Sequence, residues 1–78
     1  MNKYGSFKWR CRRGMRELDL LLGRFLELRY DSLTDSDREL FAQFLDEPNE
    51  RIVDWLLDGA EADSRYRKLI EQIQSWNE

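Results

Sequence analysis

The chain has 78 residues, 41% of them hydrophobic and 37% charged, with a formal net charge of −3. That describes one small domain near the lower size limit for a single apolar core, and fits a compact, highly soluble domain better than a disordered tail. One cysteine and no histidine exclude an internal disulfide and remove the commonest general base and metal ligand.

The charge is segregated. Residues 1–16 hold six of the 13 basic side chains and none of the 16 acidic ones, which marks an interaction surface at the basic end. No apolar run is long enough to cross a bilayer, and the N-terminus lacks the apolar core of a signal peptide. A cytoplasmic protein without membrane insertion is expected.

In chain order, residues 1–5 are expected to be flexible, and Ser6 to Arg12 form a short first helix with Ser6 as its N-cap. Gly14 interrupts it. From Met15 the series Met15, Leu18, Leu21, Leu22, Phe25, Leu26 and Leu28 has helical spacing and predicts a second helix to about Arg29. Tyr30-Asp31-Ser32-Leu33 is a turn. Thr34 and Asp37 form a capping box with Asp in place of Glu, opening a third helix that buries Leu40, Phe41, Phe44 and Leu45.

Pro48 suits the first turn of a fourth helix running to about Asp58. Its apolar face is Ile52, Val53, Leu56 and Leu57, and Gly59 stops it. Asp63 or Ser64 caps a fifth helix, with Tyr66, Leu69, Ile70, Ile73 and Trp76 facing inward. No stretch alternates like a strand. The expected fold is all-α, a single compact bundle of about five short helices over residues 1–78.

Catalysis is poorly supported. Cys11 has no histidine partner, and although nearby arginines would lower its pKa, a small half-buried core residue is the simpler reading. Tyr4, Phe7 and Trp9 interleave with Lys3, Lys8, Arg10 and Arg12, as stacking and phosphate neutralisation require. The later helices, however, are strongly acidic and offer no basic recognition face. Trp55 lies off the aliphatic stripe of its helix, either over a neighbouring helix at the core edge or as a partner anchor. Tyr30, at the end of a helix, reads as a packing cap beside Asp31.

The stretch Cys11-Arg12-Arg13-Gly14-Met15-Arg16-Glu17-Leu18 crowds positive charge around a glycine. Gly14 implies a bend, a positive φ, or close approach of another backbone. The only nearby acids, Glu17 and Asp19, cannot pair all three arginines. An Arg13–Glu17 pair four residues apart leaves Arg12 and Arg16 free for carboxylates or phosphates on a partner.

Trp9, the run Cys11 to Asp19, Tyr30-Asp31-Ser32-Leu33, Phe41 with Leu45, and Trp55-Leu56 together resemble the succinate dehydrogenase flavinylation factors, the SdhE (YgfY-like) family. The resemblance spans roughly residues 6 to 76, and the family's Arg-Gly-x-x-Glu signature falls on Arg13, Gly14 and Glu17. It implies a helical assembly factor that binds the flavoprotein subunit of succinate dehydrogenase, and in some bacteria of fumarate reductase. It further implies covalent attachment of FAD to a histidine of that partner, with no cofactor held stably by the bundle itself.

The surface expected to meet the partner comprises Trp9, Arg10, Arg12, Arg13, Gly14, Met15, Arg16, Glu17, Asp19, Tyr30, Asp31 and Trp55. Many relatives carry a basic residue where Ser6 stands. A free monomer is expected, without nucleic acid as a partner. The alternative from another class is a small nucleic-acid-binding or antitoxin-like regulatory protein using the basic N-terminal arm.

Overall fold

The computed structural model describes residues 3–75. Five α-helices are described, α1 (Lys3–Arg10), α2 (Arg16–Arg29), α3 (Asp35–Leu45), α4 (Asn49–Leu56) and α5 (Arg67–Ser75), with single 3₁₀ turns at Tyr30–Ser32 and Ser64–Tyr66. There is no strand among the described residues. The inward position expected of Trp76 lies outside them, as do Met1 and Asn2.

Helix α1 starts earlier than its sequence pattern indicates. Ser6 is no N-cap but an exposed residue within the helix, and the expected range of Ser6 to Arg12 is corrected to Lys3–Arg10. The reason is Tyr4, whose ring meets Tyr30 edge-on at 5.0 Å and extends the buried stripe of Phe7 and Cys11 by one turn. Lys3, Tyr4 and Gly5 are therefore helical where flexibility was expected. The helix closes as the Cys11 N–H donates to the Phe7 carbonyl and the Arg12 N–H to that of Trp9.

Helix α2 is the centre of the bundle and packs against α1 and α5. Leu18, Leu22, Phe25 and Leu26 are buried, the 3.6-residue stripe of a core-facing helix. Met15 and Leu28, placed in the same inward series by spacing, are instead 40% and 63% exposed. Leu28 lies about 200° round the helix from Leu26, which turns it to the outer face. Met15 precedes the helix as its extended N-cap residue.

Helix α3 opens on the expected capping box. The Asp37 N–H donates to Thr34 Oγ1 at 3.1 Å, and the Thr34 N–H donates to Asp37 Oδ2 at 3.3 Å. Pro48 is the N-cap residue of α4 rather than its first helical residue, and α4 ends at Leu56, shorter than the expected run to Asp58. Gly59, at φ +75°, follows. Asp63 caps the 3₁₀ turn that carries Tyr66, so α5 proper begins only at Arg67.

Aromatic rings tie the layers together. Phe7 stacks on Phe41 at 5.5 Å, and Phe41 meets Phe25 at 5.1 Å. Phe44, Trp55 and Tyr66 form a second cluster with centroids 5.2–5.7 Å apart. Trp55 is 8% exposed, so the reading of it as a free partner anchor is corrected: its ring fills the core edge over α3. Such burial of large rings is how a domain of this size collects enough apolar area to fold.

Candidate functional site

The basic stretch folds into a junction between α1 and α2, and Arg13 holds it. Its Nη1 donates to the carbonyls of Arg10 at 3.0 Å and Leu45 at 2.9 Å. Nη2 donates to the Glu47 carbonyl at 3.2 Å, and Nε to Asn49 Oδ1 at 2.7 Å. One guanidinium therefore joins the C-terminal ends of α1 and α3 to the start of α4. Carbonyls at helix C-termini lack intrahelical donors and carry partial negative charge, so a cationic fork there is doubly favourable.

This corrects the expected pairing of Arg13 with Glu17. Asp19 supplies the complementary contact instead, accepting the Arg13 backbone N–H on Oδ1 at 2.6 Å. Arg10 is likewise engaged, its Nη2 donating to the Ala42 carbonyl at 2.8 Å and to Asp46 Oδ1 at 2.6 Å. Asp46 is 77% exposed, so this ion pair is screened and contributes little by itself.

Gly14 sits at the turn with φ +83°, the left-handed region where a side chain is strained. A Cβ added there would meet no atom within 4 Å. Of the three explanations open at the sequence level, a bend and a positive φ are both observed, and the space above Gly14 is clear. Around it Trp9 is 73% exposed, and Arg12, Arg16 and Glu17 are exposed without an ion partner among the described residues.

Two groups thus separate within the expected surface. Arg10, Arg13 and Asp19 build the junction, while Trp9, Arg12, Gly14, Met15, Arg16 and Glu17 face outward from it. The engagement of Arg10 and Arg13 also reduces the positive charge left for a phosphate backbone, against the nucleic-acid alternative.

Tyr30 and Asp31 lie at the far end of α2, about 20 Å along its axis from Arg16. The Tyr30 ring is held between Tyr4, Phe7 and the Arg38 guanidinium, which lies 4.2 Å from its centroid. Arg38 Nη2 also donates to the Tyr30 carbonyl at 2.9 Å. Tyr30 is thereby a packing cap, as its position after the helix indicates, and Asp31 beside it is exposed.

Cys11 is 2% exposed, with Sγ 3.7 Å from the Leu22 carbonyl oxygen. Burial pushes its thiol up to about 12, outweighing the opposing pull of Arg13 and Arg10. A thiol so held is protonated near neutral pH and is no ready nucleophile. No group of three or more His, Cys, Asp or Glu residues is arranged to hold a metal among the described residues, and no helix there is long and apolar enough to cross a membrane.

Asn49 and Asp46 belong to the junction but escape sequence reading. Their partners are 36 residues away in the chain, and nothing in local spacing links them.

Comparison with known proteins bears on this arrangement. A family model described as the flavinator of succinate dehydrogenase, Sdh5, matches residues 6–77. A protein of Coxiella burnetii named FAD assembly factor SdhE is 47% identical over 70 residues, covering 88% of this chain and 85% of the relative. Proteins of the same name from Yersinia pseudotuberculosis and Pectobacterium atrosepticum are each 40% identical over 70 residues, covering 88% of this chain and 80% of the relative. No solved structure gives a significant match.

Proposed function

The chain belongs to the family of succinate dehydrogenase flavinators, and from that premise we propose that it is a non-catalytic assembly factor for the flavoprotein subunit of that enzyme. It docks through the outward face of the α1–α2 junction and promotes covalent attachment of FAD, which the partner carries. That attachment would join a histidine nitrogen of the partner to a methyl carbon of the flavin ring, with one proton lost from each and the electron pair left on the ring as reduced flavin for an external electron acceptor to remove. This chain has no histidine, so the nucleophile is the partner's.

The observation that carries the reading is Gly14, at positive φ and with nothing beyond its own chain neighbours within 4 Å of where a Cβ would sit, on a junction locked by Arg13. Open space above a rigid glycine admits a second backbone at close range. The exposed guanidinia of Arg12 and Arg16 are suited to carboxylates on that partner, and exposed Trp9 and Met15 supply apolar contact. The bundle thereby holds the flavoprotein in a geometry where histidine and flavin meet, a contribution of position rather than of proton transfer. In this reading the protein acts in the cytoplasm as a monomer when free, and a flavoprotein subunit of fumarate reductase is a second client where a cell makes one.

Affinity capture tests the docking step. The tagged chain is expected to retain the succinate dehydrogenase flavoprotein subunit, and a Gly14→Arg variant with an unchanged helical spectrum is expected to lose it. Equal retention by both would remove the junction from the proposal.

A further inference from the structure

Beside the junction lies a trough that the basic stretch does not explain. It is a depression of about 280 Å³ lined by Met15, Asn49, Glu50, Val53 and Asp54. Its floor is apolar, from the 40% exposed Met15 and the half-buried Val53. Its rim is acidic. Glu50 and Asp54 stand one turn apart on α4, both exposed, and neither has an ion partner among the described residues. Like charges at this spacing repel each other, so a cation placed between them is favoured on both sides.

The trough is fixed in place rather than loose. Asn49, at its edge, is gripped through Oδ1 by Arg13 Nε at 2.7 Å, which leaves the amide NH₂ of Asn49 to donate elsewhere. Its volume is below the usual range of sites that enclose a drug-sized ligand, which favours a protruding side chain over a free cofactor.

Resting on the functional reading above, we propose that this trough is the second half of the docking surface. It takes an apolar side chain of the flavoprotein subunit that is flanked by a lysine or arginine. The apolar group packs on Met15 and Val53, where the unbranched thioether adapts to its shape. The cation lies between Glu50 and Asp54. Met15 joins the trough to the Gly14 surface, so the face is cationic at Arg12 and Arg16 and anionic at Glu50 and Asp54. A partner must present the opposite order, and that fixes the orientation in which it docks.

The test is the affinity of the purified chain for the purified succinate dehydrogenase flavoprotein subunit of the same organism, by titration calorimetry at low and high salt. Asp54→Lys is expected to weaken binding at least about tenfold at low salt, with the difference narrowing at high salt. Glu50→Gln/Asp54→Asn, which removes charge without adding bulk, is expected to change in the same direction with its thermal midpoint retained. Wild-type affinity in both variants, while Gly14→Arg abolishes binding, overturns the trough and leaves the functional reading standing. No binding by the wild-type chain overturns both. Loss of a concentration-dependent dimer in Asp54→Lys, with flavoprotein affinity unchanged, assigns the trough to self-association and also overturns the proposal.

Discussion

The Arg13 guanidinium donates to the Leu45 carbonyl at 2.9 Å across 32 residues of sequence. An arginine that looks, in sequence, like part of a free basic patch is thus the clamp between the end of α3 and the α1–α2 junction. Replacing it with alanine leaves the Leu45 and Glu47 carbonyls and Asn49 Oδ1 without their donor. Loss of charged hydrogen bonds of this kind costs about 1.5–3 kcal/mol, or a fall of roughly 6–24 °C in the midpoint of a domain this small. Thermal unfolding followed by circular dichroism checks this. Arg13→Lys is expected to recover only part of the loss, because an ammonium cannot reproduce the fork. An unchanged midpoint in Arg13→Ala would remove the clamp.

Two glycines separate docking from strain. Gly14 and Gly59 have φ of +83° and +75°, and neither has an atom within 4 Å of an added Cβ. Alanine at either position is expected to cost about 1–2 kcal/mol of stability, from backbone strain alone. Only Gly14→Ala is expected also to weaken flavoprotein binding, since Gly59 lies beyond the end of α4. Paired unfolding and binding measurements on the two variants decide it, and equal losses of binding would reduce Gly14 to a turn residue.

The two intact tryptophans in the described residues differ in their surroundings. Trp9→Ala is expected to leave stability within about 0.5 kcal/mol, as for an exposed side chain, while weakening partner binding. Trp55→Ala removes a ring packed on Phe44 and Tyr66 and is expected to cost about 3–5 kcal/mol. Urea denaturation curves compared with binding data separate the roles; a stable Trp55→Ala variant that fails to bind would restore Trp55 as an anchor.

Alkaline pH is expected to weaken the fold. The Cys11 thiol is raised by burial from 9.0 to about 12. The folded state therefore keeps a proton that the unfolded state releases, and stability present below pH 9 falls as pH rises towards 12. Tyr66 acts in the same direction above pH 10, raised by burial and by the hydrogen bond its hydroxyl donates to Glu47. The thermal midpoint measured against pH should decline from about pH 9. Cys11→Ala should show a shallower decline over the first part of that range, while supporting flavin attachment if its protein remains folded. An identical pH profile for both proteins would contradict the assignment to Cys11.

The helices were legible from sequence wherever local chemistry decides them. Thr34 with Asp37 marks the start of α3, and Leu18, Leu22, Phe25 and Leu26 mark the buried face of α2, because capping and helical period act over a single turn. In sequence Trp55 fits either of two roles, since an off-stripe ring is settled only by what lies across from it, here Phe44 and Tyr66. On the exposed half of the junction, charge imbalance singles out Arg12 and Arg16, whereas Trp9 and Met15 enter through the family resemblance, helical spacing having turned Met15 inward. The division of labour among the arginines did not. Local spacing offers Glu17 to Arg13, whereas the fold brings up three carbonyls and Asn49, and a fixed cluster of acceptors with the right geometry outcompetes one exposed carboxylate.

The central claim is that this bundle promotes covalent flavin attachment through the face above Gly14. The most direct measurement is flavin fluorescence of the denatured succinate dehydrogenase flavoprotein subunit, from cells lacking the gene and complemented with wild type or Gly14→Arg. The expected result is a strong covalent flavin signal with wild type, and a weak one both without the gene and with Gly14→Arg. Equal covalent flavin in all three would contradict the claim.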